Sequence, residues 1–210
     1  MRICIYGAGA IGGLLGAKLS LAGEEVTLIG RGPHLETMRH KGLTLISGSE
    51  RLVARPRCTA DPTDAGAQDC VIVTLKSHSA PHIVNLLQPL LGPKTSVVTA
   101  VNGVPWWYFH ELKGPWRNTL LESVDPGGRQ WRLIGPTRAI GCVVYPACEV
   151  IEPSVVRHME GDRFTLGEPS GEKTERVCQL SSALTRAGFK APVRQHIRNE
   201  IWIKLWGNLC

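Results

Sequence analysis

The spacing of apolar residues changes twice within the first thirty positions. RICIY is a short run of strand formers, LLGAKLSLAG carries apolar residues at helical spacing, and EEVTLIG is a second short apolar run. GAGAIGG lies between the first two, so the order is strand, tight glycine turn, helix, strand. Beyond it, HLETMRHKG predicts a helix ending at Gly42, LTLIS and ERLVARP alternate as the arms of a hairpin, and DCVIVTLKSH predicts a buried strand with a polar end. IVNLLQPLL predicts a helix and TSVVTAVNGVP the next strand. From Gly114 to Gly135 the periodicity fails, and DPGG among scattered basic residues predicts an irregular excursion or an exposed hairpin outside the main sheet. AIGCVVYPA, SVVRHM and FTLGEP are strand-like. KTERVCQLSSALTRAGF is an amphipathic helix stopped at Gly188, and KAPVRQ is extended.

The last segment, NEIWIKLWGNLC, places Glu200, Lys204 and Asn208 on one narrow stripe of a helix. Ile201, Trp202, Ile203, Leu205, Trp206 and Leu209 cover most of the remaining circumference, which predicts burial on several sides and a lysine held between apolar walls. Strands alternating with helices make the fold class α/β, a Rossmann-type doubly wound, mostly parallel sheet. The first domain spans 1–196, and residues 197–210 open a second one.

Composition narrows the function classes. Hydrophobic residues make up 43% and charged residues 20% of the 210-residue chain, which excludes disorder, collagen-like repeats and coiled coil. The formal charge of +6 suits a phosphate-bearing ligand, but the basic residues form no runs, which argues against nucleic acid as a partner. Seven cysteines without a CxxC pair or clustered histidines point to neither a disulfide framework nor a metal site. Cys4 and Cys70 sit in apolar runs as small buried hydrophobes, which fits a reducing cytoplasm. No stretch approaches the length of a membrane span and there is no charged leader, so a soluble cytoplasmic protein without a membrane partner is expected.

The glycine turn is the cofactor-binding candidate, from Gly7 through Ala8, Gly9, Ala10 and Ile11 to Gly12. Gly7 permits the sharp exit from the strand, Gly9 lets the backbone approach a pyrophosphate, and Gly12 lets helix and strand pack closely. The phosphates would meet free N–H groups and the positive end of the helix dipole. A turn selected only for packing is the alternative, weakened by the flanking strand and helix. Where an NAD site usually carries a carboxylate at the end of the second strand, this chain has Gly30-Arg31. A guanidinium there can grip a 2′-phosphate, so NADP(H) is the predicted cofactor, against a solvated surface arginine. Lys76 and Asn102-Gly103 end the next two strands on the same edge, against a solvated lysine and a hairpin turn respectively. PWWYFH, at 105–110, can line a pocket or pack in a core or interface.

With these residues in place, the sequence resembles the ketopantoate reductase (2-dehydropantoate 2-reductase) family along essentially its whole length. The likeness rests on YGAGAIGG, TLKSH, VNGVP, GCVVYPACEVIEPSVVRH and IWIKLWGN in that order. The resemblance implies NADPH-dependent reduction of a 2-keto acid, 2-dehydropantoate to pantoate. In it Lys204 is the catalytic proton donor, Asn208 holds the substrate, Asn102 lies near nicotinamide and substrate, and Lys76 and Arg31 contact the cofactor. It makes 1–196 the NADP(H)-binding domain and 197–210 the truncated start of an all-α substrate and dimerisation domain. An apolar helix without later partners then implies either a shortened chain or a homodimer, and a 210-residue form that binds cofactor but turns over poorly. From the residues alone, Lys204 is better explained by an i,i+4 ion pair with Glu200. Two rivals remain: an NADP(H) sensor or interaction module without catalysis, and a related dehydrogenase with a bulkier substrate.

Overall fold

The computed structural model describes residues 1–209; Cys210, the final residue of the predicted terminal helix, lies outside them. The chain begins with β1 (Arg2–Tyr6), α1 (Ala10–Leu21), β2 (Glu25–Ile29) and α2 (Gly32–Lys41), then β3 (Leu43–Ser47), β4 (Glu50–Ala54) and β5 (Arg57–Thr59). It continues through β6 (Gln68–Val73), β7 (Leu91–Thr99), the short α3 (Arg129–Leu133), β8 (Ala139–Val144), β9 (Ala147–Glu152), β10 (Val155–Glu160) and β11 (Phe164–Gly167), and ends in α4 (Glu175–Arg186) and α5 (Ile197–Leu209). Local signals set many of these boundaries. Pro33 lies in the first turn of α2, Gly42 ends that helix at φ 83°, and the Thr174 hydroxyl caps α4 by accepting from the Val177 N–H.

Seven strands form the main sheet in the order β11-β8-β7-β6-β1-β2-β5, parallel except for β11. From β1 the chain winds outward through β2 and β5 on one side and through β6, β7 and β8 on the other, so the winding reverses between β1 and β6. Both faces are covered. Along β1, Ile3 and Ile5 enter one hydrophobic cluster while Cys4 and Tyr6 enter the other, the period-2 alternation of a strand buried on both sides. Burial pushes the Cys4 and Cys70 thiols up to about 12; Cys70 adds to the effect at Cys4, while at Cys70 the Ser96 hydrogen bond opposes it.

A second sheet of four strands, β4-β3-β10-β9, lies beyond the sequence reading. The β3–β4 hairpin is as expected, but β3 also pairs in parallel with β10, from Thr44–Val155 to Ser47–His158. Helix α1 fills the gap between the two sheets. A Cβ on Gly13 would come within 2.6 Å of Val156 on β10, and one on Gly16 within 2.9 Å of Leu28 on β2. Burial on two opposite sides explains why α1 is apolar around most of its surface.

Two expectations are corrected, and between them the irregular-excursion alternative for 114–135 holds. IVNLLQPLL is not an α-helix: the chain makes 3-10 turns at Ser77–His82 and Gln88–Leu90, because Pro81 and Pro89 remove the donors a regular helix needs, although Val84, Leu87 and Leu90 still reach the core. Between Gly114 and Gly135 there is no hairpin among the described residues. The irregular path closes on α3, whose first N–H groups, at Gln130 and Trp131, donate to the buried Asp125 carboxylate at 2.8 and 2.9 Å. Finally, α5 is not buried on several sides. Ile197 and Ile201 are buried, while Trp202, Ile203, Trp206 and Leu209 are 51–80% exposed, although full burial would contribute roughly 1.5–3 kcal/mol for each. The strands α5 packs against are β8 and β11. Among the described residues, no helix is long and apolar enough to cross a membrane.

Candidate functional site

Strand register brings the site together. Ile29, Tyr6, Val73 and Thr99 pair in one row across β2, β1, β6 and β7, at the carboxyl ends of all four strands. Each predicted site residue of the first hundred follows within a few positions: the glycine turn after Tyr6, Arg31 after Ile29, Lys76 after Val73 and Asn102 after Thr99. They therefore line the edge where the winding reverses, the position at which open α/β sheets hold ligands.

The turn is held from both sides. Gly7, at φ 112°, and Ala8 donate their N–H groups to the Ile29 carbonyl, at 3.0 and 3.1 Å. The Gly7 carbonyl accepts from the Thr74 hydroxyl at 2.5 Å. A Cβ on Gly12 would lie 2.0 Å from that same carbonyl and 2.6 Å from the Thr74 oxygen, so the helix approaches the strand as closely as a bare backbone allows. Gly9 is the opposite case. It is exposed, and a Cβ there would meet nothing within 4 Å. Helix α1 starts from Gly9 with no side-chain cap and no acidic residue in its first turn, leaving its first N–H groups, those of Ala10 and Ile11, without an acceptor among the described residues. Open space above a bare glycine and uncapped donors on the positive end of a helix are what a diphosphate requires, so these residues fit a dinucleotide.

Arg31 is exposed at the start of α2 and close enough to Tyr6 to favour its phenolate, although burial dominates and raises the Tyr6 pKa. Lys76 is exposed where the chain leaves β6. Across the sheet, Asn102, Lys204 and Asn208 line a single shallow, open cleft together with Val101, Cys142 and Val143. Lys204 is half-buried and is not enclosed by apolar walls: Ile203 and Trp206, on either side of it in sequence, face out. It makes no ion pair among the described residues. Glu200 lies instead 3.6 Å from Arg194, so the alternative i,i+4 pair is absent. The Lys204 ammonium stands 4.9 Å from the centre of the Tyr145 ring.

Arg198, Ile197 and His34, to which the sequence reading gave no role, help build this region. Arg198 donates to the carbonyls of Tyr108, His110 and Pro169 at 2.6–2.7 Å, and its burial among them lowers its pKa. With Ile197 seated against the bare backbones of Gly141 and Gly167, it fixes the base of α5, and hence the direction of Lys204. Trp106 and Trp107 are buried, so that half of PWWYFH belongs to the core, while Tyr108 accepts a hydrogen bond from the Trp202 indole at 2.7 Å. His34, in the first turn of α2, accepts from the Ser154 N–H at 3.0 Å through Nδ1, tying the start of that helix to the second sheet.

Burial lowers the His34 pKa below the ordinary ~6.5, with the Ala8 carbonyl a smaller opposing influence. Below ~6.5 the unfolded chain therefore takes up a proton that the folded chain resists. The contribution is full above that pH and is lost as pH falls through the lower folded pKa. Thermal melts between pH 7 and 5 should show wild type losing more stability than His34→Gln, which keeps an acceptor for Ser154 and does not titrate.

Comparison with known proteins bears on the family and the fold. A family model described as ketopantoate reductase PanE/ApbA matches residues 3–171. A curated 2-dehydropantoate 2-reductase from Mesorhizobium japonicum (strain LMG 29417 / CECT 9101 / MAFF 303099) is 54% identical over 210 residues, 100% of this chain and 64% of that protein. A crystal structure of a candidate ketopantoate reductase from Ralstonia solanacearum MolK2 superposes with a TM-score of 0.93 at 42% identity, covering 99% of this chain and 64% of that one. A ternary structure of D-mandelate dehydrogenase with NADH and anilino(oxo)acetate shares the fold, with a TM-score of 0.76 at 20% identity over 97% of this chain and 60% of its own. The chain thus spans somewhat under two thirds of the length of the relatives it matches.

Proposed function

The chain belongs to the ketopantoate reductase family, and from that premise we propose that it reduces a small 2-keto acid with NADPH, 2-dehydropantoate to pantoate being the reaction named for its relatives. The observation that carries this reading is the shared cleft of Asn102, Lys204 and Asn208 at the sheet edge where the glycine turn leaves its helix start uncapped. Gly7 to Gly12 would hold the diphosphate through backbone N–H groups, with Arg31 and Lys76 supplying positive charge at either side of the turn. The nicotinamide cofactor, when bound, supplies the hydride for the carbonyl carbon. Lys204 holds the proton that passes to the ketone oxygen, and the amide groups of Asn102 and Asn208 orient the substrate beside it. The helix from Ile197 onward contributes the substrate side of the cleft.

The test is NADPH oxidation by the full chain against a panel of 2-keto acids, with NADH as the control. Selective turnover of 2-dehydropantoate supports the reading. Selective turnover of an aryl 2-keto acid moves it to a dehydrogenase with a larger pocket, and cofactor binding with a flat panel moves it to a sensor. Arg31→Ala should weaken NADPH binding by about 10- to 100-fold, the worth of charge-assisted bonds to a 2′-phosphate, and leave NADH binding nearly unchanged. Fluorescence titration with each nucleotide measures both.

A further inference from the structure

Tyr145 follows β8 directly and enters no part of the reaction as described so far. Its ring is nonetheless the side chain against which the Lys204 ammonium rests, 4.9 Å from the centroid. Two features fix the ring. The Arg163 guanidinium stacks on it at 3.8 Å, and the Tyr145 N–H donates to the Arg163 carbonyl at 3.1 Å. The loop leading to Arg163 packs hard on the same backbone, since a Cβ on Gly161 would lie 2.9 Å from the Tyr145 carbonyl. The negative face of an aromatic ring attracts a cation without neutralising it or sharing its proton, unlike a carboxylate. Among the described residues no carboxylate pairs with Lys204, and the Glu200 that could do so is turned to Arg194.

We propose that Tyr145 is a positioning residue for Lys204: its ring, clamped by Arg163, holds the amine at the wall of the cleft shared with Asn102 and Asn208, unpaired with any carboxylate among the described residues. This rests on Lys204 being the proton donor. The ring matters and the hydroxyl does not, which separates this role from that of a general acid. It also separates it from plain space filling, since leucine fills apolar space without a quadrupole.

The experiment compares Tyr145→Phe, Tyr145→Leu and Lys204→Ala in the full chain. In wild type the Lys204 Cε–H proton signals, assigned by their loss in Lys204→Ala, should lie upfield of the other lysines because of the ring current. Tyr145→Phe should keep that shift and a kcat within about twofold of wild type. Tyr145→Leu should lose the shift and about tenfold in kcat, the size expected of a partly desolvated cation–π contact, at unchanged NADPH affinity. A Lys204 signal that is unshifted in wild type, Tyr145→Leu at full kcat, or Tyr145→Phe as impaired as Tyr145→Leu overturns the proposal. Full turnover by Lys204→Ala would instead sink the proton-donor reading itself. Loss of turnover in Lys204→Ala with full activity in Tyr145→Leu sinks only the role of the ring.

Discussion

Lys204→Ala is expected to lower kcat with a 2-keto acid by about 10²- to 10⁴-fold, the range over which a positioned general acid acts, while NADPH affinity stays within about threefold of wild type. The two halves of this result have separate physical grounds. Proton delivery is lost because no other amine among the described residues lines the cleft with Asn102 and Asn208. Cofactor affinity is kept because the glycine turn, Arg31 and Lys76 follow β1, β2 and β6 and make no use of α5. Folding should also survive. Lys204 makes no ion pair among the described residues, alanine is the best helix former, and α5 is anchored at its base by Ile197 and Arg198. Steady-state kinetics with nucleotide titration on the same preparation check both halves. Turnover undiminished in the variant would leave a nucleotide-binding module with no chemistry assigned to its terminal helix.

What could be read from the sequence follows the distance over which each contact acts. The β1–turn–α1–β2 unit, the glycine stop of α2, the β3–β4 hairpin and α4 are each decided by residues within a dozen positions, and their periodicities and caps are visible in the string. The pairing of β3 with β10 joins Thr44 to Val155. Nothing local in LTLIS or SVVRHM distinguishes that partner from another strand, so the second sheet was illegible. The same division runs through the site. Gly7 to Gly12, Arg31, Lys76 and Asn102 sit at strand ends, and a single rule about the carboxyl edge of a parallel sheet reaches all of them. Lys204 and Asn208 came from family resemblance, since the residues alone allowed a pair with Glu200. Arg198 finds the Tyr108 carbonyl 90 residues away, and Tyr145 meets Lys204 only once the sheet has formed. Contacts from side chains to backbone carbonyls or ring faces leave no pattern in a sequence, because every residue has a carbonyl.

Gly12→Ala and Gly9→Ala should fail in opposite ways, and the contrast decides whether the turn is a packing device or a phosphate cradle. At Gly12 the added carbon lies 2.0 Å from the Gly7 carbonyl, a backbone atom already bonded to Thr74 and belonging to a residue at φ 112°. Neither atom can rotate away, so the start of α1 must lift off β1. Overpacking of this kind costs about 1–3 kcal/mol or more, which in a chain of this size lowers Tm by roughly 2–4 °C per kcal/mol. Cofactor binding should fall with it as the donors lose their alignment. At Gly9 the backbone, at φ −75°, suits any L-residue and the added carbon meets nothing within 4 Å, so Tm should stay within about 1 °C of wild type. The new methyl nonetheless stands in the open space above the uncapped donors of Ala10 and Ile11. If a diphosphate lies there, NADPH affinity drops by about tenfold or more with no loss of stability. Calorimetry and nucleotide titration on the two variants separate the cases: unchanged affinity in a fully stable Gly9→Ala protein would mean that the glycines serve only to bring α1 against the sheet.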